Sequence, residues 1–232
     1  MKIIFVRHGH PNYRVDRLTV LGHKQAEAAA ERLRNEGIER IYSSTCGRAL
    51  ETATHTADCI GIPREEIVRC DFMRELRWGS ADGTVLYQRG NPWLEVYRLE
   101  AEGAPLNSYT WEKEEPFSHN KLVSYVHSVW ERADIWLNFL GYRREGDRYR
   151  VVRENDATVA MFSHSGSSTA LLAHLFHIPF PQAISAIEPN FTAVTVVLLT
   201  GKEGELVVPR FLLLNDDRHI EGITGEKTVP EF

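Results

Sequence analysis

The run Lys2-Ile3-Ile4-Phe5-Val6 constrains this chain more than any other feature. After the lysine it is apolar at every position and partly β-branched. A strand with one wet face alternates, whereas an unbroken apolar strand belongs in a sheet covered on both faces. The run stops at Arg7-His8-Gly9, where a loop must begin. The theme then repeats. Residues 22–34 are rich in alanine and other good helix formers, with Gly37 as a stop. Residues 38–42 read as a second strand ending in Ser43-Ser44-Thr45. Residues 48–60 read as a helix closed by Gly61 and Pro63, and residues 66–70 as a short strand. Strand–helix–strand–helix–strand order predicts an α/β fold, a three-layer α/β/α sandwich around a mostly parallel sheet.

Residues 72–118 break the rhythm. Tryptophan, glycine, proline and glutamate mix there with little periodicity, so an inserted lid is expected at about 84–118 within a single domain over 1–232. Leu122, Val126, Val129 and Ala133 recur at helical spacing and predict a helix over 121–140. A polar hairpin follows around Glu145-Gly146-Asp147. Residues 158–163 read as a buried strand ending at His164-Ser165-Gly166, and residues 167–177 as a helix stopped before Pro179. Residues 191–199 and 206–214 read as two late strands, and the tail after Asn215 as loose.

A chain of 232 residues can bury roughly 70% of its unfolded surface, so it needs no disulfide or metal to fold. The formal net charge of −5 argues against broad nucleic-acid binding but leaves room for one basic pocket. Cys46, Cys59 and Cys70 form an odd, sparse set without a C-x-x-C pair, which predicts a reducing, cytoplasmic setting. Cys59 and Cys70 read as buried small hydrophobes. The N-terminal apolar run is too short for a signal peptide, and no run approaches the ~18 residues of a membrane span. No signal of oligomeric state is present.

Three strand ends deliver polar residues: Arg7-His8-Gly9, Ser43-Ser44 followed by Arg48, and His164-Ser165-Gly166. Ligands of open α/β sheets bind beyond the carboxyl ends of strands, so two arginines and two histidines are expected to converge there. Arginine forks match a dianionic phosphate. A histidine among cations has its pKa pushed down and stays nucleophilic near neutral pH. His10 fits either the pocket mouth or the surface. His174 and His177 have metal-compatible spacing but lie among leucines without a third ligand, and read as packing or surface residues.

These motifs, in this order, resemble the histidine phosphatase superfamily, the phosphoglycerate-mutase-like proteins. Arg7-His8-Gly9 resembles the family signature. Leu18-Thr19-Val20-Leu21-Gly22 with Gln25-Ala26 resembles the start of its first helix. Ser43-Ser44 with Arg48-Ala49 and Thr52-Ala53 resembles the start of the second. Glu75, Gly79 and Gly83 resemble its E-x-x-x-G-x-x-x-G segment, and His164-Ser165-Gly166 its late histidine segment. The resemblance covers roughly residues 1–83 and 157–200. It implies that His8 attacks phosphorus and forms a phosphohistidine. Arg7, Arg48 and His164 hold the phosphoryl oxygens, and Glu75 protonates the leaving oxygen and then activates water, with no metal and no cofactor. Arg14 and Ser165 complete the implied phosphate-binding set.

The chain departs from the family pattern at three positions. Arg14 stands where many members have asparagine, and reads as either a third phosphate ligand or a surface charge. Thr45 replaces an acidic residue, and Ser165 a glycine. Serine rather than aspartate after His164 points away from the acid-phosphatase and phytase branch and toward the branch using Glu75, with Asp71 and Asp82 as alternative acids. The 91–117 insert carries Trp93, Tyr97, Tyr109, Trp111 and Phe117, and six glutamates against Arg98 and Lys113. It reads as a substrate-selecting lid, as aromatic packing, or as both. The function read is a phosphomonoesterase acting on a phosphorylated small molecule. A phosphoglycerate-type mutase is the alternative, with Arg74, Arg77 and Arg89 as its cations and the acidic insert against it. A silent phosphate-binding interaction module is the third reading.

Overall fold

A computed structural model describes residues 1–80 and 90–223. Its strands are β1 (Lys2–Arg7), β2 (Pro11–Asn12), β3 (Arg17–Leu18), β4 (Ile38–Ser44), β5 (Val68–Cys70), β6 (Tyr142–Glu145), β7 (Arg148–Val151), β8 (Thr158–Ser163), β9 (Val194–Leu198), β10 (Leu206–Val207) and β11 (Arg210–Asp216). Its α-helices are α1 (Val20–Leu33), α2 (Gly47–Ile60), α3 (Pro92–Ala101), α4 (Leu122–Phe139), α5 (Ser165–Leu175) and α6 (Phe180–Ala186). The central sheet has the order β11-β9-β1-β8-β4-β5. β1, β8, β4 and β5 run parallel, while β9 and β11 are antiparallel at one edge.

The unbroken apolar strands do divide between two cores. Ile3, Phe5, Val159 and Met161 join α4, α5 and α6 on one face. Ile4, Val6, Ala160 and Phe162 join Leu33 of α1 and Ala53 and Ala57 of α2 on the other. Both faces of β1 and β8 are thereby dry, which is why neither strand alternates. The parallel strands end together: Arg7 pairs with Ser163, and Ser43 with Phe162. His8, Thr45 and His164 therefore emerge at one edge of the sheet.

Several sequence expectations need correction. The 206–214 strand is two strands, because Pro209 has no N–H to continue a ladder. Leu206–Val207 pairs with β7, and Arg210–Asp216 with β9. Helix α5 begins at Ser165, so His164 sits at its N-cap. The strand expected over 191–199 is β9, which begins only at Val194, residues 191–193 forming a turn. The tail is ordered as far as it is described. Asp216 is buried against Arg218 and Arg32, and Arg218–Ile220 form a 3-10 turn. Cys59 is only half-buried, whereas Cys46 and Cys70 are buried.

The described part of the insert is packed. Asn91 caps α3 through Oδ1, which accepts from Trp93 N at 3.0 Å, and Pro92 occupies the first turn, where its missing N–H costs nothing. Trp111 and Phe117 are buried in the same core as α4 and α5. Asp82, Gly83, Arg89 and the beginning of the expected lid, like the tail beyond residue 223, lie outside the described residues.

Candidate active site

His8 follows β1 directly and is buried. Its Nδ1 lies 2.7 Å from the Gly9 carbonyl oxygen. A carbonyl only accepts, so Nδ1 carries the proton and Nε2 keeps its lone pair. Nε2 accepts from Arg48 Nε at 3.2 Å. Burial, and then the charge of Arg48, hold the His8 pKa well below the ordinary imidazole value. Glycine at position 9 is a steric requirement. A Cβ there would stand 2.6 Å from the carbonyl oxygen of Gly22 in α1. Gly9 N also donates to Thr52 Oγ1 of α2 at 3.1 Å. The loop is thus clamped between two helices.

Arg7 donates from Nη1 to the Pro189 carbonyl at 2.6 Å, and its guanidinium lies 4.3 Å from the centre of the Phe191 ring. Its Nε is buried and has no hydrogen-bond partner among the described residues. Arg48, in the first turn of α2, is buried, and its Nη1 donates to Asp16 Oδ1 at 2.5 Å. His164 is buried at the N-cap of α5. Its Nε2 shares a 2.8 Å hydrogen bond with Ser44 Oγ, and its ring lies edge-on to His8 with centroids 5.0 Å apart. Burial, followed by neighbouring His8, pushes its pKa well down. Ser165 is buried as the first residue of α5. The positive end of that helix therefore borders the same space, a natural place for an anion.

Glu75 is half-buried as a residue, with its carboxyl group at the buried end. Burial raises its pKa above the usual carboxylate value, against the opposing pull of the Leu76 N–H and the charges of Arg7 and Arg48. Glu75 Oε1 accepts from Leu76 N at 2.9 Å. A Cβ built on Gly166 would stand 2.6 Å from Glu75 Oε1 and 3.0 Å from Trp93 Cη2. The carboxyl group, the first turn of α5 and the indole of the insert therefore meet at one point.

Arg7, His8, Arg48, Glu75, His164 and Ser165 gather at the carboxyl end of the parallel strands. Arg14 stands on the exposed turn between β2 and β3, its backbone N–H donating to Asn12 Oδ1 at 3.1 Å. Asp71 is exposed and accepts from Thr45 Oγ1 at 2.9 Å. His10 is half-buried, with Nδ1 2.9 Å from Thr19 Oγ1 and its ring edge-on to Phe191. His174 stacks on Trp130 and bonds to Asp134 at 3.0 Å, and His177 stacks on Tyr109. Among the described residues no group of three or more His, Cys, Asp or Glu side chains is placed to hold a metal ion. No described helix is long and apolar enough to cross a membrane.

Sequence reasoning missed Asp16, Tyr13 and Phe191. Tyr13 places its ring 5.3 Å from the Arg48 guanidinium. Phe191 lies against Arg7, His8 and His10. It read as the first residue of a strand, and no motif marked Asp16.

A buried imidazole, protonated on Nδ1 and with its Nε2 lone pair directed at Arg48, thus stands at the end of the first strand with two arginines and a second histidine around it, a set of groups chemically suited to an oxyanion, on a mostly parallel α/β sheet. The chain belongs to the histidine phosphatase superfamily (branch 1), whose sequence profile matches residues 3–211. It is 34% identical over 98 residues to a probable phosphoglycerate mutase GpmB of Proteus mirabilis, across 38% of this chain and 42% of that protein. A Yersinia enterocolitica protein of the same name is 33% identical over 88 residues, across 34% of this chain and 40% of that one. The chain thus spans about two fifths of the length of the curated relatives it matches. Among solved structures, a mutant phosphoserine phosphatase of Entamoeba histolytica in complex with phosphoserine is similar, with TM-score 0.61, 18% identity, and 94% of this chain and 98% of that chain covered. A mycobacterial glucosyl-3-phosphoglycerate phosphatase is similar at TM-score 0.61 and 21% identity, over 92% of this chain and 98% of that one. At these identities the two structures establish the shared fold.

Proposed function

We propose that this protein is a phosphomonoesterase that hydrolyses a phosphorylated small molecule through a phosphohistidine on His8. The observation that carries the reading is the state of that imidazole. Nδ1 is tied to the Gly9 carbonyl, the ring is neutral, and the Nε2 lone pair faces the cationic pocket. Nε2 attacks phosphorus in line, and the phosphorus–oxygen ester bond breaks. The electron pair leaves with the oxygen, which takes the proton of Glu75. Arg7, Arg48, His164 and the Ser165 end of α5 stabilise the charge on the phosphoryl oxygens. Water then attacks the phosphohistidine and gives its proton to the Glu75 carboxylate. The phosphorus–nitrogen bond breaks and the lone pair returns to Nε2. The raised Glu75 pKa suits both duties, since the group must hold a proton and then lose it.

The insert shapes the leaving-group side. Trp93 stands beside the Glu75 carboxyl, and Tyr97 donates to Glu188 Oε2 at 2.7 Å, in the segment that leads to Pro189 and Phe191 around Arg7. Trp111 and Phe117 serve packing. Arg14 on its exposed turn is a candidate for contact with the outer part of the substrate.

The names of the sequence relatives favour a second reading, a phosphoglycerate-type mutase. One experiment separates the two. Release of inorganic phosphate is measured over a panel of phosphorylated metabolites, including phosphoserine and glucosyl-3-phosphoglycerate. In parallel, the protein is incubated with 3-phosphoglycerate and a bisphosphate primer. Phosphate release with trapped phosphohistidine supports the phosphatase. Rapid formation of 2-phosphoglycerate without phosphate release would replace it with the mutase.

A further inference from the structure

Arg48 is held from behind. Its Nη1 donates to Asp16 Oδ1 at 2.5 Å, while the other carboxylate oxygen, Oδ2, accepts from Gly47 N at 2.8 Å. Asp16 therefore caps α2 from across the fold, in place of Cys46, whose side chain makes no cap bond. The contact is tight. A Cβ on Gly47 would come within 2.2 Å of the Asp16 carbonyl oxygen. Asp16 itself has φ 53°, a left-handed conformation that aspartate tolerates better than most residues. The same hairpin makes further contacts with α2, among them an ion pair of Arg17 with Glu51 at 3.5 Å. Leu18 N donates to Glu51 Oε2 at 2.7 Å, and the Tyr13 ring covers the Arg48 guanidinium.

The geometry of a guanidinium gives this arrangement a consequence. Nε–H and one Nη2–H lie along one edge and form the fork that grips two oxyanion oxygens, while Nη1 lies on the far side. Here Nε points at His8 Nε2 and Nη1 is taken by Asp16. The Nε/Nη2 edge is thus turned toward the nucleophile, with Nε already on His8 Nε2. Without a carboxylate behind it, Arg48 would face the positive end of α2 and the charge of Arg7 with only the pull of the Glu75 carboxyl to offset them, and would rotate away.

We propose that Asp16 is the positioning residue for Arg48, fixing the guanidinium so that its Nε/Nη2 edge grips the phosphoryl group transferred to His8. This rests on the phosphohistidine reading. A merely structural role, capping α2, would not depend on the arginine side chain, and that difference supplies the test. Asp16→Asn, Arg48→Ala and the double variant are compared by orthovanadate binding and by burst-phase phosphohistidine formation with p-nitrophenyl phosphate, with thermal melting as a check on folding. Asn keeps the left-handed backbone and the shape. Asp16→Gly keeps the backbone alone.

In the native background, Asp16→Asn and Asp16→Gly should each weaken both readouts by about tenfold or more, the scale of a lost charged hydrogen bond. In the Arg48→Ala background the further loss from Asp16→Asn should be under about twofold. Equal losses in both backgrounds, or no loss in the native one, would overturn the proposal. A native protein that binds vanadate with this coupling but never forms phosphohistidine would leave Asp16 as positioner and refute the phosphatase mechanism. Phosphohistidine formation without coupling would do the reverse, and a native protein that does not bind vanadate would sink both.

Discussion

Gly166→Ala is the sharpest test of where Glu75 sits. The new methyl carbon would stand 2.6 Å from Glu75 Oε1 and 3.0 Å from both Leu76 Cδ1 and Trp93 Cη2, whereas ordinary contact begins at 3.4 Å. Gly166 lies in the first turn of α5 without positive φ, so alanine suits its backbone and gains about 1 kcal/mol of helix propensity. Overpacking of this kind costs about 1–3 kcal/mol. The net loss is therefore at most about 2 kcal/mol, equivalent to a melting temperature lower by no more than about 8 °C in a chain of this size. The protein folds, and the group that yields is the end of the flexible glutamate, displaced by roughly 0.8 Å. A misplacement near 1 Å can cost about 10²-fold in rate, within the ~10²–10⁴-fold that a general acid contributes. An alkyl phosphate, whose leaving oxygen needs the proton, should be slowed about 10²-fold in the phosphoryl-transfer step. p-Nitrophenyl phosphate, with an acidic leaving group, should be slowed far less. Rapid-quench measurement of phosphohistidine formation separates this step from the later hydrolysis. Glu75→Gln should show the same selectivity at larger amplitude. Equal slowing of both esters by a folded Gly166→Ala protein, or no slowing of either, would remove Glu75 from the acid role and turn attention to Asp71 or Asp82.

Three further outcomes are expected. His8→Ala should abolish turnover and phosphohistidine labelling while the protein stays folded, and retention of more than about a hundredth of the native rate would refute the covalent route. Activity should survive EDTA if, as proposed, Arg7 and Arg48 supply the charge stabilisation; loss on chelation, restored by one divalent ion, would contradict this. Stability should fall as pH drops below about 6.5, since His8 and His164 are held neutral in the fold while the unfolded chain takes up their protons. The slope approaches about 1.4 kcal/mol per pH unit for each histidine until the folded-state pKa is reached, and Glu75, shifted upward, acts in the opposite sense. Urea unfolding at pH 5, 6 and 7 measures it. His8→Ala should flatten the slope by one proton, and an unchanged slope would mean that His8 is not held neutral in the fold.

The fold was legible where it leaves a local trace. Burial on both faces forces an apolar residue at every position of β1 and β8, and the strand ends announce themselves where Arg7-His8-Gly9 and His164-Ser165-Gly166 interrupt those runs. Helices α1, α2 and α4 show in composition or in the recurrence of apolar residues. The insert was harder. The period of α3 is hidden by glutamates and a half-exposed Trp93, and aromatics of the insert find partners far along the chain, Trp111 on Trp130 of α4 and Phe180 of α6, and Tyr109 on His177. Pro209 lies inside the run that reads as one strand over 206–214, and its effect, sending Leu206–Val207 to β7 and Arg210–Asp216 to β9, depends on which strands lie within reach.

The sequence alone determined the alternation of elements, the mostly parallel sheet, and the residue types delivered to its carboxyl edge, because side-chain period and strand termination are set within a few residues. Tertiary structure alone decided how those side chains are aimed. Asp16 meets Arg48, Phe191 meets Arg7, and Trp93 meets Glu75 across gaps of 32, 184 and 18 residues along the chain. Such polar and edge contacts carry no periodicity, and they come into being only when packing brings separate elements together. The same packing removes water from His8, His164 and Glu75. It thereby pushes the two imidazole pKa values down and that of the Glu75 carboxyl up.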